Sequence, residues 1–516
     1  MTDIVGNQTL RSLWDSLSQE RGDHCFLVFQ NRNGVVKEYS YAEFNEEINR
    51  SANFFIEQGI EKGETVAVHM HTCPEFMMCL FGLAKIGAVM VPMNEQYLQA
   101  ECEYVLEKCK ITHVVIEQEF CDLYQSITAS GFCELRIVVA RSSEELNDFV
   151  DFETMKNKQS VILREVREIA SDDIAEILFT SGTTSCPKGV ILTHANMIYS
   201  GLYGNWQVGF TPVDRVLTTM PACHSNFQLA ALTPVLTAAA TLIVVEKYSA
   251  SKFWEQICTH KATITQAVAM MVRTLLLQPV NPQEKNHCLR EVLYFLPITL
   301  EEKEAFESRF GVTIMNTYGS TESLNWVITD PLIGKRNWPS IGRVGISYEA
   351  KIVDEQGNQV QPGTIGEIMI KGVAGRTLMK GYYGDEAATK EVLSVDGWLC
   401  TDDKGYQDES GWFYFVDRKS NMIKRSGENI ATIELENILT SHSSIAEAAV
   451  IGIPDPIRDE AVKAFVLFVP GEELTVEEVL IFCRERMAAF KVPSVIEIVD
   501  TFPRTCSLKI EKKLLK

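Results

Sequence analysis

The chain has 516 residues, 48 Lys and Arg against 69 Asp and Glu, a formal charge of -21 and 46% hydrophobic residues. That length implies two or more domains with an ample core, and the hydrophobic fraction excludes a disordered chain. The acidic balance argues against nucleic acid or an anionic membrane surface as partner, because both recruit clustered Lys and Arg; small anions answer to local field instead.

Residues 1–20 carry Asp3, Arg11 and Asp15 and no apolar stretch behind a basic one, so no export signal is expected there. Helical period over Ser40–Gln58 is followed by a strand at Thr65–Val68. Phe76 to Met93 is apolar apart from Lys85, and Phe227 to Val245 has no charge. Both are too interrupted for a membrane span and read as a buried helix passing into a strand, at Ala88–Pro92 and Thr241–Val245. Further strands are expected at His113–Ile116, Leu135–Val139, Ala175–Phe179 and Thr313–Asn316, with helices at Leu98–Cys109 and Ala250–Thr259. This alternation predicts an α/β N-terminal domain of parallel-type sheets covered by helices.

From about Tyr348 short strands joined by Gly, Asp and Asn turns (Ala350–Val353, Glu367–Lys371, Trp412–Val416) suggest a β-rich subdomain. After Arg418 comes a unit of α+β texture: Met422–Lys424, a helix at Thr432–His442, strands at Ala446–Ile453 and Ala461–Val469, a helix at Val476–Met487 and a lysine-rich tail. The expected domains are therefore 1–418 and 419–516. The 14 cysteines contain no CxxC pair, which fits free thiols in a reducing compartment and a cytoplasmic location. His69, His71 and Cys73 alternate as zinc ligands on one strand face would, but no second ligand group follows at finger or ribbon spacing, so no metal is expected there.

The strongest local signal runs from Thr180 through Ser181, Gly182, Thr183 and Thr184 to Pro187-Lys188-Gly189, directly after a strand. Gly182 lets backbone N–H groups converge, the hydroxyls suit phosphate oxygens or Mg2+, and Lys188 supplies charge. It reads as a phosphate cradle without the spacing of a Walker loop or as an ordinary Ser/Thr-rich surface loop, and composition alone does not separate the two.

The order Thr-Ser-Gly-Thr-Thr-x-x-Pro-Lys-Gly resembles the signature of the acyl-adenylate-forming superfamily, which includes acyl-CoA synthetases, luciferases and the adenylation domains of peptide synthetases. Further segments resemble its motifs in the same order. Asn316-Thr317-Tyr318-Gly319-Ser320-Thr321-Glu322 looks like the Tyr-Gly-x-Thr-Glu segment. The resemblance implies that Tyr318 packs on adenine, that Thr317, Gly319 and Thr321 line the nucleotide with Thr321 at the α-phosphate, and that Glu322, together with Thr183, binds Mg2+. Met220-Pro221-Ala222-Cys223-His224 is similar to the segment that sets a His near the acyl carboxylate, with Cys223 where an aromatic residue is usual. Trp398-Leu399-Cys400-Thr401-Asp402-Asp403 resembles Trp-x-x-Thr-Gly-Asp, implying that Asp403 holds the ribose hydroxyls and that Asp402 stands in for a glycine.

Asp417-Arg418-Lys419-Ser420 looks like the family's hinge, with Arg418 reaching the ribose and rotation near Ser420 swinging a mobile C-terminal domain. The tail Pro503-Arg504-Thr505-Cys506-Ser507-Leu508-Lys509-Ile510 resembles the segment bearing the catalytic lysine, which maps to Lys509. Leu508 replaces the glycine before that lysine; if the position uses a positive φ, a branched residue costs about 1–2 kcal/mol. The catalytic set the resemblance implies is thus Lys509, His224 and Glu322.

Over its length the chain resembles the bacterial crotonobetaine/carnitine–CoA ligases, for instance at Trp338-Pro339-Ser340-Ile341-Gly342-Arg343 and Val245-Glu246-Lys247-Tyr248-Ser249-Ala250. The implied activity is activation of a small carboxylic acid with ATP and Mg2+, then transfer of the acyl group to CoA. A trimethylammonium head wants aromatic faces, and Tyr203, Trp206 and Trp326 are candidates. Two alternatives remain: another acyl-CoA synthetase or a carrier-loading adenylation enzyme, and a degenerate nucleotide-binding homologue that no longer ligates.

Overall fold

Residues 3–132, 134–142, 149–180, 187–295, 298–425, 428–455, 459–506 and 508–515 are described by the computed structural model. Two large sheets, stacked with helices, carry the N-terminal part. One runs, edge to edge, through Arg343–Val344, Asn325–Thr329, Ile314–Ser320, Glu291–Phe295, Ile264–Val268, Arg215–Thr218, Thr241–Val245, Cys25–Gln30 and Val36–Ser40. The other runs through Gly381–Tyr382, Lys188–Thr193, Ile174–Thr180, Val89–Pro92, Thr65–His69, His113–Glu117, Arg136–Ala140 and Val150–Asp151.

The interior pairings are parallel; the first sheet ends in antiparallel strands at both edges and the second at one edge, its other edge strand, Val150–Asp151, pairing in parallel, so both are mixed rather than purely parallel. Interior strands such as Thr241–Val245 are buried throughout, as a strand covered on both faces must be, whereas the antiparallel pairs include hairpin returns. Lys188–Thr193 doubles back on Ile174–Thr180, and Asn325–Thr329 doubles back on Ile314–Ser320.

The helices form where their caps and periods direct. Tyr41–Glu57 opens on Ser40, whose hydroxyl accepts from Glu43 N while the Glu43 carboxylate accepts from Ser40 N at 2.8 Å. Lys85, the one charge in its apolar run, is buried and donates to Asp15 and Asn45 at 2.7 Å and to Asn49 at 2.8 Å. The run therefore folds as the helix Pro74–Ile86 followed by the strand Val89–Pro92. Among the described residues no helix is long and apolar enough to cross a membrane. The second apolar run holds a surprise: between Ser225–Phe227 and Thr233–Ala238 the chain makes a π-helical turn, Gln228–Leu232, before the strand Thr241–Val245. Such turns cluster at functional sites.

A four-stranded antiparallel sheet follows (Glu349–Val353, Gly366–Lys371, Trp398–Gln407, Phe413–Arg418). The last unit pairs Asp459–Phe468 with Ile445–Asp455 and Ile423–Arg425 and adds Val495–Ile498 in parallel. The helices Thr432–Thr440 and Val476–Arg486 cover it, with Leu435, Leu439, Val450, Val462 and Val479 forming a core of its own. The architecture is α/β with a β-rich subdomain and a small α+β unit.

Candidate active site

The phosphate loop is the connection of a hairpin. Thr180 and Lys188 are register partners at its mouth, and the Thr180 hydroxyl donates to the Lys188 carbonyl at 3.5 Å. Ser181, Gly182, Thr183 and Thr184 lie outside the described residues. Gly189 is required by packing, since a Cβ there would meet Ile177 Cγ2 at 2.8 Å and the Phe179 ring at 3.1 Å. Lys188 Nζ sits 5.0 Å from the centre of the Tyr382 ring, and the Tyr382 hydroxyl donates to Glu322 Oε1 at 3.1 Å. Tyr382 thus joins the loop lysine to the Glu322 carboxylate, a link with no signal in the sequence.

Tyr318 and Gly319 were expected just after a short strand but lie within it, because Ile314–Ser320 extends through a hairpin pairing with Asn325–Thr329. Strand alternation then divides the motif. The Thr317 hydroxyl turns into the sheet and donates to the Tyr294 carbonyl at 2.9 Å. Tyr318 points the other way and donates to Asp403 Oδ2 at 2.7 Å. Thr321 donates to Ser225 Oγ at 3.1 Å, next to His224.

Asp403 is aimed by a bulge. The register between Gly366–Lys371 and Trp398–Gln407 breaks at Thr401–Asp403, Asp402 takes φ +61°, and the Thr401 hydroxyl closes the bulge on the Ile368 carbonyl at 2.7 Å. Asp402 accordingly occupies a left-handed position in a strand rather than in a turn, and aspartate tolerates it better than most residues. Arg418 Nε approaches Asp403 Oδ1 at 3.3 Å, yet that oxygen is buried and has no hydrogen-bond partner. A buried acceptor left open beside a tyrosine ring and a guanidinium fits a ribose hydroxyl. Burial pushes the Asp403 carboxyl upward, and Arg418 pulls it back.

Lys509 arrives from the tail, where Arg504 and Ile510 are bridged and Leu508 N donates to the Thr505 carbonyl at 2.8 Å. Leu508 holds φ +65°, so the strain anticipated for that position is present. Burial and the Arg418 charge lower the Lys509 pKa to about 8, against the pull of Asp403 and Cys506. Facing it is His224, whose pKa falls to about 3 through burial and the Lys509 charge. His224 Nδ1 accepts from Asn226 N at 3.1 Å, so the neutral ring carries its proton on Nε2.

Behind this loop Gln228, in the π-helical turn, donates to the Ala222 carbonyl at 3.0 Å and to Glu176 Oε1 at 2.7 Å. Glu176 is fully buried and its pKa is raised to about 8 by desolvation. Glu176 Oε2 and Gln228 Oε1 are both buried without a hydrogen-bond partner, and a protonated Glu176 carries a donor in place of a buried charge. This ties the strand of the phosphate loop to the His224 loop, and nothing in the local sequence announced it.

Other candidates fall elsewhere. His69 stacks on Phe120 at 3.8 Å and Cys73 precedes the helix Pro74–Ile86, while His71 pairs with Glu95 at 2.6 Å and with Glu119. The three residues of the zinc pattern therefore do not converge. Tyr203 packs among Tyr199, Tyr348 and Trp206, with its hydroxyl bonded by Gln207 at 2.7 Å; Trp206 is half exposed. Trp326 is buried against Phe295 and is the register partner of Gly319.

The Mg2+ that the motifs imply is matched by Glu322: its Oε1 is engaged by Tyr382, and a carboxylate oxygen is a ligand a hard cation prefers. Lys188, Tyr382 and Glu322 are joined by the contacts above, as are Tyr318, Asp403 and Arg418, and Lys509 lies within electrostatic reach of Arg418, Asp403 and His224. A fold of two α/β sheets with a small α+β unit is that of an adenylate-forming enzyme.

Residues 14–383 match the AMP-binding enzyme family and residues 434–509 match its C-terminal domain, and the chain belongs to this family. It is 48% identical, over 516 residues and 100% of both chains, to crotonobetaine/carnitine–CoA ligase of Citrobacter koseri. Among solved structures it is similar to the anthranilate CoA ligase AuaEII in complex with anthranoyl-AMP, with TM-score 0.88, 25% identity and coverage of 98% and 96% of the two chains. ATP-bound MatB from Rhodopseudomonas palustris is also similar, with TM-score 0.86, 25% identity and coverage of 98% of each chain.

Proposed function

We propose that the protein is an AMP-forming acid–CoA ligase that activates a small acid of the crotonobetaine/carnitine class. The observation that carries the reading is that the Lys509 ammonium lies within electrostatic reach of His224, Arg418 and Asp403. There its ammonium meets both the attacking carboxylate and the α-phosphate.

In the first half-reaction the acid's carboxylate oxygen attacks the α-phosphorus of ATP and pyrophosphate leaves. Lys509 and Lys188 offset the charge that builds on the phosphate oxygens, the largest contribution such a site makes. His224, neutral with Nε2–H, donates to the carboxylate. Tyr318, Asp403 and Arg418 hold the nucleoside. Mg2+, when bound, would be held by Glu322, with Thr183 as the second ligand the motif resemblance implies, and would supply charge neutralisation at the phosphates. In the second half-reaction the unit from 419 onward rotates near Ser420, withdrawing Lys509, and the CoA thiol attacks the acyl carbonyl with AMP as the leaving group. The domain division at 418/419 and a cytoplasmic location belong to the same reading.

The test is acid-dependent pyrophosphate exchange, followed by CoA-dependent AMP formation, over carnitine, crotonobetaine and uncharged short acids. Turnover confined to the quaternary ammonium acids is expected. Turnover of uncharged acids alone moves the protein to another acyl-CoA synthetase specificity. Leu508 at φ +65° favours attention to the degenerate alternative; ATP binding with no exchange for any acid would establish it.

A further inference from the structure

Tyr382 touches two opposite charges of the site, the Lys188 ammonium and the Glu322 carboxylate. Its strand, Gly381–Tyr382, pairs with Lys188–Thr193, matching Gly381 to Ile191 and Tyr382 to Val190. Beside that pairing Lys380 N donates to the Ile191 carbonyl at 3.0 Å and Tyr383 N to the Gly189 carbonyl at 2.8 Å. Met379 N donates to the Glu322 carbonyl at 2.9 Å, so one short segment is fastened both to the strand of Lys188 and to the backbone of Glu322. Tyr382 N donates to Thr389 Oγ1 at 2.8 Å, and the residue is 8% exposed. The place of the ring is therefore set by backbone bonds that do not depend on its contacts with the two charges.

We propose that Tyr382 is a positioning residue for the metal–nucleotide complex: its ring keeps Lys188 and Glu322 from pairing with each other, and its hydroxyl fixes the Glu322 carboxylate for a divalent cation. This rests on the reading of the site as one for ATP with Mg2+.

A lysine and a glutamate at one site attract each other, and a pair between them must break before a phosphate or a cation can use either. Tyr382 offers each a substitute that leaves its charge in place. The ammonium lies 5.0 Å from the ring centre, within range of the negative π face. The carboxylate accepts the phenol at Oε1 at 3.1 Å, and an ionised carboxylate has a second oxygen to give a cation. Burial, and then the Glu322 charge, push the phenol upward, so it keeps its proton and remains a donor. Among the described residues Lys188 and Glu322 form no ion pair with each other; the ring is what each of them meets.

The experiment measures ATP binding to the full chain by calorimetry, in EDTA and over a range of Mg2+ concentrations. The proteins compared are the unaltered chain, Tyr382→Phe, Tyr382→Leu, and Glu322→Gln with and without Tyr382→Phe. Tyr382→Phe keeps the ring and loses the donor. The Mg2+ concentration for half-maximal ATP binding should rise about three- to tenfold, the scale of one net hydrogen bond, with binding in EDTA changed by less than about twofold. In the Glu322→Gln background the same change should add less than about twofold, because the carboxylate it aims is gone; a purely structural loss would add in full. Tyr382→Leu removes the ring as well and frees Lys188 to pair with Glu322, so binding in EDTA should also weaken, by at least about threefold.

A Mg2+ requirement unchanged in Tyr382→Phe overturns the proposal, as does an equal rise in the Glu322→Gln background. If Tyr382→Leu does not fold, the phenylalanine variant and its combination with Glu322→Gln decide. A chain that binds ATP with Mg2+ but gives no pyrophosphate exchange with any acid sinks the functional reading, and the same titrations still decide the role of Tyr382. A chain that binds no ATP at any Mg2+ concentration overturns both.

Discussion

The carboxylate of Asp417 accepts the backbone N–H of Thr432 at 2.6 Å, across fifteen residues of sequence. The same oxygen accepts the Thr432 hydroxyl at 2.8 Å and Ile433 N at 3.2 Å. The helix Thr432–Thr440 has no side-chain cap from Ala431, so this remote carboxylate serves as one and meets the positive end of the helix. Asp417 closes the last strand before the proposed hinge, and Thr432 opens the first helix after it. The contact fastens one side of the hinge to the other.

Asp417→Ala removes the three contacts to the helix start, together with those the other carboxylate oxygen accepts from Arg418 N and Asn421 Nδ2, and leaves the N–H groups of Thr432 and Ile433 without that acceptor. A loss of about 1–3 kcal/mol in the stability of the C-terminal unit is expected, measured by denaturant unfolding. Asp417→Asn, which keeps one acceptor oxygen, should lose less. An unchanged unfolding midpoint for the alanine variant would show that the cap contributes nothing.

Lys509 acts as an ammonium, and its folded pKa is lowered to about 8. Its charged fraction therefore falls as pH rises through about 8, and pyrophosphate exchange should decline there with the slope of one proton. Lys509→Gln should lower exchange by about 10²–10³, the scale for losing one donor to a developing oxyanion, and abolish that limb. Thioester formation from preformed acyl-adenylate should be spared. A variant that retains the limb would assign the titration to another group.

Leu508 at φ +65° carries a strain of about 1–2 kcal/mol. Leu508→Gly relieves it but adds about 0.5–1 kcal/mol of backbone freedom to the unfolded chain. Global stability should thus shift by under about 1 kcal/mol, while exchange rises because the turn before Lys509 is no longer strained. Leu508→Ala keeps the left-handed penalty and should not reproduce the rise. Slower exchange in the glycine variant would mean that the leucine side chain, which packs against the main core, positions Lys509.

Glu176 is protonated in the folded protein until its pKa of about 8, whereas its unfolded value lies near 4.5. Between these the folded state binds the extra proton, so stability falls as pH rises from about 4.5 to about 8. Glu176→Gln, an isostere of the neutral acid, should flatten this dependence, seen in melting temperature against pH. Glu176→Leu should destabilise at every pH, since it strands the Gln228 amide in the core.

Several features were legible from residue pattern alone. Ala250–Thr259 is a helix over those residues, and the strands at Thr241–Val245 and His113–Ile116 lie where β-branched runs put them. Asp402 and Leu508, which the family resemblance had marked as standing at glycine positions, both carry positive φ. What was missed is long-range. Tyr382 reaches Glu322 from a strand sixty residues away, and Glu176 meets Gln228 across fifty-two. A side chain's neighbour across that much sequence depends on sheet order and on the π-helical turn, which no local periodicity encodes.

The sequence by itself determined the class of chemistry through its resemblance to the acyl-adenylate-forming motifs, which follow in the family's order across nearly the whole chain. It also settled the α/β texture, since buried strands and amphipathic helices write their period into the residues. Only the tertiary structure decided which groups share a space: Tyr318 with Asp403, Tyr382 with Glu322, Asp417 with Thr432. Burial then set their charge states, because desolvation acts through whatever packs around a group and not through its neighbours in sequence. The net charge of -21 is a property of the whole chain; in the proposed reading the anions are met by three placed cations, Lys188, Arg418 and Lys509.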